Sequence, residues 1–135
     1  MAKEIAKKTT KKVVKKKSKS PVLSGSVYVQ SSFNNTMITI TDENGGAISW
    51  ATSGSIGFKG AKKSTPYAAS LAAAAALEKA KARGLRKVRV FVSGVGSGRD
   101  SAVRAITNTD LEVLGIKDTT PVAHNGCRAK KPRRV

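Results

Sequence analysis

The stretch over residues 88–100, Val-Arg-Val-Phe-Val-Ser-Gly-Val-Gly-Ser-Gly-Arg-Asp, constrains this chain more than any other. Val88, Val90 and Val92 alternate with Arg89 and Phe91, the period-two signature of a half-buried strand. Gly94, Gly96 and Gly98 then recur at every second position, in a turn whose backbone can approach a ligand closely. Residues 100–106 follow as a helix, with Val103 and Ile106 three apart on one face and Arg104 beside them. A strand, a glycine turn and a helix start suit an anion, because the first helical N–H groups and the macrodipole both point at it. Arg99, at the helix start, is the charged partner for that anion. A dinucleotide cofactor and an RNA backbone both answer the description, and the rest of the chain decides between them.

Charge decides most of it. The 135 residues carry a formal net charge of +18. Residues 1–20 account for +8 and residues 128–135, with Arg128, Lys130, Lys131, Arg133 and Arg134, for +5. The body between them is only mildly basic. Polycationic arms of this kind repel themselves and gain stability against a dense polyanion. The longest alanine-rich run, residues 68–77, is too short to span a bilayer, and residues 1–20 lack the apolar segment of a secretory signal. Nucleic acid is therefore the expected partner, with no membrane and no small-molecule substrate. Cys127 and His124 are the only cysteine and histidine. They supply two soft ligands where a structural zinc site wants four, so neither a metal nor any other cofactor is expected.

Along the chain, residues 1–20 are low-complexity Lys, Thr, Val and Ser, with too few apolar groups to offset the entropy of ordering them. Residues 24–32 read as a strand with Val27 and Val29 on one face and Tyr28 on the other. Asn34-Asn35 marks a tight hairpin, residues 37–41 return with Ile38 and Ile40, and Asn44-Gly45 marks a second turn. A third strand over 47–52 places Ile48 and Trp50 on one face. Residues 53–64 are glycine-punctuated and basic, with Lys59, Lys62 and Lys63. Thr65 as N-cap and Pro66 at the first helical position open a helix over 66–83, whose stripe is Tyr67, Leu71, Ala74 and Leu77 and whose stop is Gly84. Its small alanine face implies close packing on a sheet. Leu111, Val113 and Ile116, interrupted by Gly115, read as a fifth strand over 111–117.

The order is βββαβαβ. If the first strand pairs with the fourth, right-handed crossovers give a mixed five-stranded α/β sheet of order 3-2-1-4-5 with both helices on one face. Val27, Val29, Ile38, Ile40, Val88, Val90 and Val92 then face the helices. Tyr28, Thr39, Thr41, Arg89 and Phe91 face the other side. The expected organisation is a basic N-terminal arm over 1–22, a globular body over 23–118 and a basic C-terminal tail over 119–135, with both arms disordered when free.

With these residues laid out, the chain resembles the small-subunit ribosomal protein S11 family in its bacterial or organellar form. The resemblance is carried by Ser31-Ser32-Phe33-Asn34-Asn35-Thr36, Gly57-Phe58-Lys59-Gly60, Lys63-Ser64-Thr65-Pro66-Tyr67, Gly98-Arg99, Asp118-Thr119-Thr120-Pro121 and His124-Asn125-Gly126-Cys127-Arg128. The chain departs from the family where prolines usually stand, at Val95, Ser97, Ala123 and Ala129-Lys130. The resemblance implies a sheet of ribonuclease-H-like topology bound to 16S rRNA in the platform of the small subunit. It further implies a place beside the messenger RNA exit path, neighbouring platform proteins as partners, and a location in the cytoplasmic or an organellar ribosome.

Other chemistries fit less well. The dinucleotide fingerprint G-x-G-x-x-G fails because Arg99 replaces its third glycine. A ribonuclease-H-like nuclease needs converging carboxylates, and the first strand has none while the fourth ends in Ser93. A DNA-compacting protein is the nearest rival, since charge alone does not separate DNA from RNA, but no recognition helix stands out. The candidate RNA-binding residues are therefore Asn34 and Asn35 at a hairpin tip, Lys59, Lys62 and Lys63 in the basic loop, and Gly94, Gly96, Gly98, Arg99 and Arg104 around the glycine turn. In the tail they are His124, Asn125, Arg128, Lys130, Lys131, Arg133 and Arg134. Each has a plainer alternative: a self-satisfied turn for the asparagines, a solvated loop for the lysines. Tyr28, Trp50 and Phe91 suit a core or a protein contact better than a base platform. Asn125-Gly126 also presents an unhindered glycine N–H to an Asn side chain, the geometry of isoaspartate formation.

Overall fold

Alternation and capping signals produce the expected elements. The computed structural model describes residues 20–134, and the arm expected to be disordered falls, up to Lys19, outside the described residues. Strands β1 (Ser24–Ser31), β2 (Thr36–Asp42) and β3 (Ala47–Thr52) form an antiparallel meander. Helix α1 (Pro66–Lys81), β4 (Lys87–Gly94), α2 (Arg99–Thr107) and β5 (Glu112–Asp118) follow. The sheet order is β3-β2-β1-β4-β5, with β4 parallel to both β1 and β5. This is the expected 3-2-1-4-5 arrangement. Val22, placed by the sequence in the arm, donates its N–H to the Arg83 carbonyl at 3.1 Å and packs against the core.

The core lies between one sheet face and the two helices. Val27, Val29, Ile38, Ile40, Val88, Val90 and Val92 are buried as their alternation requires. Helix α1 covers β2 and β3, α2 reaches β1 and β4, and the helices pack on each other. Thr65 caps α1 by accepting from the Ala68 N–H, with Pro66 at the first position.

Two faces differ from the sequence expectation. Helix α1 buries Ala68, Ala69, Ala72, Ala73, Ala76, Leu77 and Ala80, whereas Tyr67 and Ala74 are exposed. The helix lies so close that small residues fill the interface, and Tyr67 turns outward to meet the Phe58 ring edge-on at 6.1 Å. In β3 a bulge after Ile40 leaves Ile48 as the extra residue, because Ile40 pairs with Ser49 and Thr41 with Ala47. Ile48 and Ser49 are therefore both buried, and Trp50 faces away from the helices opposite Thr39. Thr41, expected on the open face, is buried at this same bulge. Ser49 donates to the Ala76 carbonyl at 2.9 Å, a bond the thin helix allows.

Candidate nucleic-acid interface

Topology brings the candidate residues together. Because β2 alone runs against the other four strands, the segments leaving β1, β3, β4 and β5 all emerge at one end of the sheet. Those segments are the first hairpin, the basic loop, the glycine turn and the tail, and both helices begin there. The Asp42–Gly46 turn, with Asp42 and Glu43, lies at the opposite end, as do Asp110 ahead of β5 and Glu112 at its start.

At the hairpin tip, the Ser32 N–H donates to the Asn35 carbonyl at 2.8 Å and the Asn35 N–H donates to Ser32 Oγ at 3.1 Å. Phe33 and Asn34 are thus the central residues of the turn, and both are exposed. Asn35 builds the turn through its backbone, and its amide oxygen is buried without a protein partner among the described residues. Lys59 and Lys62 are exposed and Lys63 half-exposed, beside and within a 3₁₀ turn over Gly60–Ser64 that leads into α1.

The glycine turn works differently from the sequence expectation. A Cβ on Gly94 would lie 2.0 Å from the Ser31 carbonyl oxygen, one on Gly96 2.2 Å from that of Ser32, and one on Gly98 2.7 Å from Ala69 Cβ. Gly94 also holds φ at +94°, where a side chain is strained. The glycines therefore let the turn lie against β1, the hairpin and α1, so their backbone approach is to the protein itself. The Gly96 N–H donates to the Ser31 carbonyl at 3.1 Å, and Ser97 Oγ donates to the Ser64 carbonyl at 2.5 Å. These bonds join the first hairpin, the basic loop and the glycine turn into one surface.

Arg99 is likewise engaged inside the protein. Its Nη1 donates to the Gly94 carbonyl at 2.8 Å, and its guanidinium pairs with the Asp118 carboxylate. Asp118 also accepts from Thr120 Oγ1 at 2.6 Å and from the Thr120 N–H at 2.9 Å. The Thr120 hydroxyl first, and Arg99 after it, hold the Asp118 carboxyl well below its ordinary value. Thr119 continues β5 pairing through its N–H to the Val92 carbonyl at 2.8 Å. The residues missed by sequence reasoning are thus Asp118 and Thr120, which tie the start of the tail to the turn. A local signal existed: an Asp two residues before a Thr is the pattern of a side chain bonding its own backbone.

Beyond Thr120 the tail has no regular secondary structure, and His124, Asn125, Arg128, Lys130, Lys131, Arg133 and Arg134 are exposed. Asn125 adopts φ +55°, a conformation Asn tolerates. Arg104 is exposed on α2, further from the turn. Ion pairs among the described residues join Lys81 to Asp110, Lys87 to Glu112 and Arg99 to Asp118. The cations of the loop and tail therefore lack acidic partners there and are free to meet phosphates. Among the described residues no three His, Cys, Asp or Glu side chains come together, and no helix is long and apolar enough to cross a membrane.

Comparison with known proteins agrees with this geometry. The sequence model of the family described as Ribosomal protein S11 matches residues 25–134. A protein of Solibacter usitatus named small ribosomal subunit protein uS11 is 54% identical over 135 residues, all of both chains. Proteins of the same name from Treponema pallidum and Desulfovibrio desulfuricans are each 55% identical, over 90% and 93% of this chain and 96% and 97% of their own. None of these descriptions is that of an enzyme. The chain, with its loops and tail gathered at one end of a βββαβαβ sheet, belongs to the ribosomal protein S11 family.

Proposed function

We propose that this protein is a structural component of the small ribosomal subunit, binding 16S rRNA in the platform beside the messenger RNA exit path and supporting subunit assembly and translation. The observation that carries this reading is the convergence of the Ser32–Asn35 hairpin, the Lys59, Lys62 and Lys63 loop and the cationic tail at one end of the sheet, with no carboxylate paired to their cations. Phosphates are met by Lys59, Lys62, Lys63, Arg128, Lys130, Lys131, Arg133 and Arg134, and Asn34 and His124 reach bases or sugars from exposed loops. Irregular and single-stranded RNA is recognised by shape-matched turns of this kind rather than by a groove-reading helix. Gly94, Gly96, Gly98 and Arg99 act one step back, by holding those turns in register; Arg104 and Asn125 flank them. The partners are 16S rRNA, neighbouring platform proteins and, at the exit path, messenger RNA; the location is the cytoplasmic ribosome.

The test is incorporation followed by crosslink mapping. The chain should co-sediment with small subunits and crosslink to discrete positions of 16S rRNA from the loop end. Equal crosslinking to bulk DNA and to rRNA would instead favour a DNA-compacting protein.

A further inference from the structure

The sheet has two faces, and the helices cover one. On the other, the strand register lays a single rung across all five strands: Trp50, Thr39, Tyr28, Phe91 and Lys117. Trp50 is 57% exposed and Tyr28 40%. The Tyr28 and Phe91 rings stack with centroids 5.1 Å apart and 14° between their planes. Met37, 41% exposed, stands one rung towards the loop end, and Arg89, exposed, one rung the other way. Arg89 has no acidic partner among the described residues: it stands opposite Gly115 on the edge strand, and Glu112, opposite Lys87, pairs with that lysine at 3.2 Å. Aromatic residues, Met and Arg are the types enriched where proteins bury surface against each other. Trp50, Tyr28 and Met37, exposed together on one sheet face, are apolar surface of the kind that a protein contact covers.

We infer that this open face docks another protein of the subunit, through a segment that lays apolar side chains along the Trp50–Tyr28–Phe91 rung and brings a carboxylate to Arg89. The inference rests on the reading of the chain as a subunit component. Charge and ring geometry separate the possible occupants. The chain's own first twenty residues carry nine lysines against Glu4, the same sign as Arg89 and Lys117. A second copy, face to face, would set those cations against each other with no free carboxylate between them. Single-stranded RNA stacks on free ring faces. Tyr28 and Phe91 have already given one face each to the other, and Thr39 separates Trp50 from them. An apolar protein segment uses the edges and flanks the rung leaves open, and a carboxylate supplies the charge that Arg89 lacks.

The test places the photoreactive residue p-benzoylphenylalanine at Trp50 in the full chain and reconstitutes small subunits from 16S rRNA and the other purified small-subunit proteins. Irradiation should give a crosslink to one protein, at a peptide containing Asp or Glu. Arg89→Glu, on an exposed strand position, should cut that protein's retention in the particle about tenfold or more, and a Lys at the crosslinked carboxylate should restore it. Arg89→Gln should weaken retention less, and neither variant should change the protection of 16S rRNA by the loop end. A crosslink to 16S rRNA, to this chain's own arm or to a second copy would overturn the inference. So would no crosslink in particles that have taken up the chain, or retention unaffected by Arg89→Glu. If the unsubstituted chain never enters the particle, the ribosomal reading itself falls and the docking surface falls with it.

Discussion

Asp118 accepts from the Thr120 hydroxyl, the Thr120 N–H and Arg99, and each of these favours its charged form. A carboxyl held below its ordinary value of 3.8 contributes stability that is present above that pH and is lost as pH falls towards the depressed folded value. Asp118→Asn should therefore lower the thermal midpoint at neutral pH, and its gap from the parent protein should narrow as the solution is acidified below 3.8. A gap independent of pH in thermal melts would show that the charge is not what Asp118 contributes. The glycines give a second contrast at this scale. Gly98→Ala places a methyl 2.7 Å from Ala69 Cβ and should cost about 1–3 kcal/mol in denaturant titrations. Gly115→Ala meets nothing within 4 Å and should stay within about 0.5 kcal/mol. From the sequence, the three turn glycines and the tail arginines looked alike as anion-site residues. What distinguishes them is the proximity of Ser31, Ser32 and Ala69, which no local pattern records.

Helix α1 shows what an element's own sequence does and does not say. Its cap, its proline and its alanines specify a helix, and Gly84, at φ +89°, stands just beyond its end. They do not specify which side is buried, because alanine sits comfortably on either, and of the large residues only Leu77 is buried, while Tyr67 points outward and Leu71 is half-buried. Ala73, wholly buried, and Ala74, exposed, test this directly. Ala73→Leu should destabilise by about 1–3 kcal/mol through overpacking, and Ala74→Leu should stay within about 0.5 kcal/mol. Similar losses at both positions would mean that the helix does not pack through its alanines. Strand β3 has its expected bounds over Ala47–Thr52, but Ile48 and Trp50 part to opposite faces for a related reason. Period-two reading assumes an unbroken ladder, and the bulge at Ile48 moves every residue before it to the other face.

For the whole molecule, the loops and the tail together make the polyanion surface, and salt dependence measures their share. Each cation that reaches a phosphate steepens the fall of log affinity with log salt by about 0.7–0.9. Removing residues 128–135 takes away five cations, so the slope on a 16S rRNA fragment should shallow by about four. Replacing Lys59, Lys62 and Lys63 by alanine should shallow it by about two. A slope unchanged by either would remove that segment from the interface. Given the pairing of β1 with β4, the strand order and the two helices on one face followed from the sequence itself, as did the basic loop and tail and the family. Alternation, capping, crossover handedness and charge are local or additive properties, readable residue by residue. Tertiary structure alone decided that Arg99 closes on Asp118, that Gly94 and Gly96 approach the backbone of Ser31 and Ser32 and Gly98 the side chains of Thr36 and Ala69, and that Trp50 turns outward onto the open face. The glycine turn so resembles an anion loop in sequence because both uses ask the backbone to come close to something. Only the fold brings the hairpin, α1 and the end of β5 to the same end of the sheet, and so makes that something the protein itself.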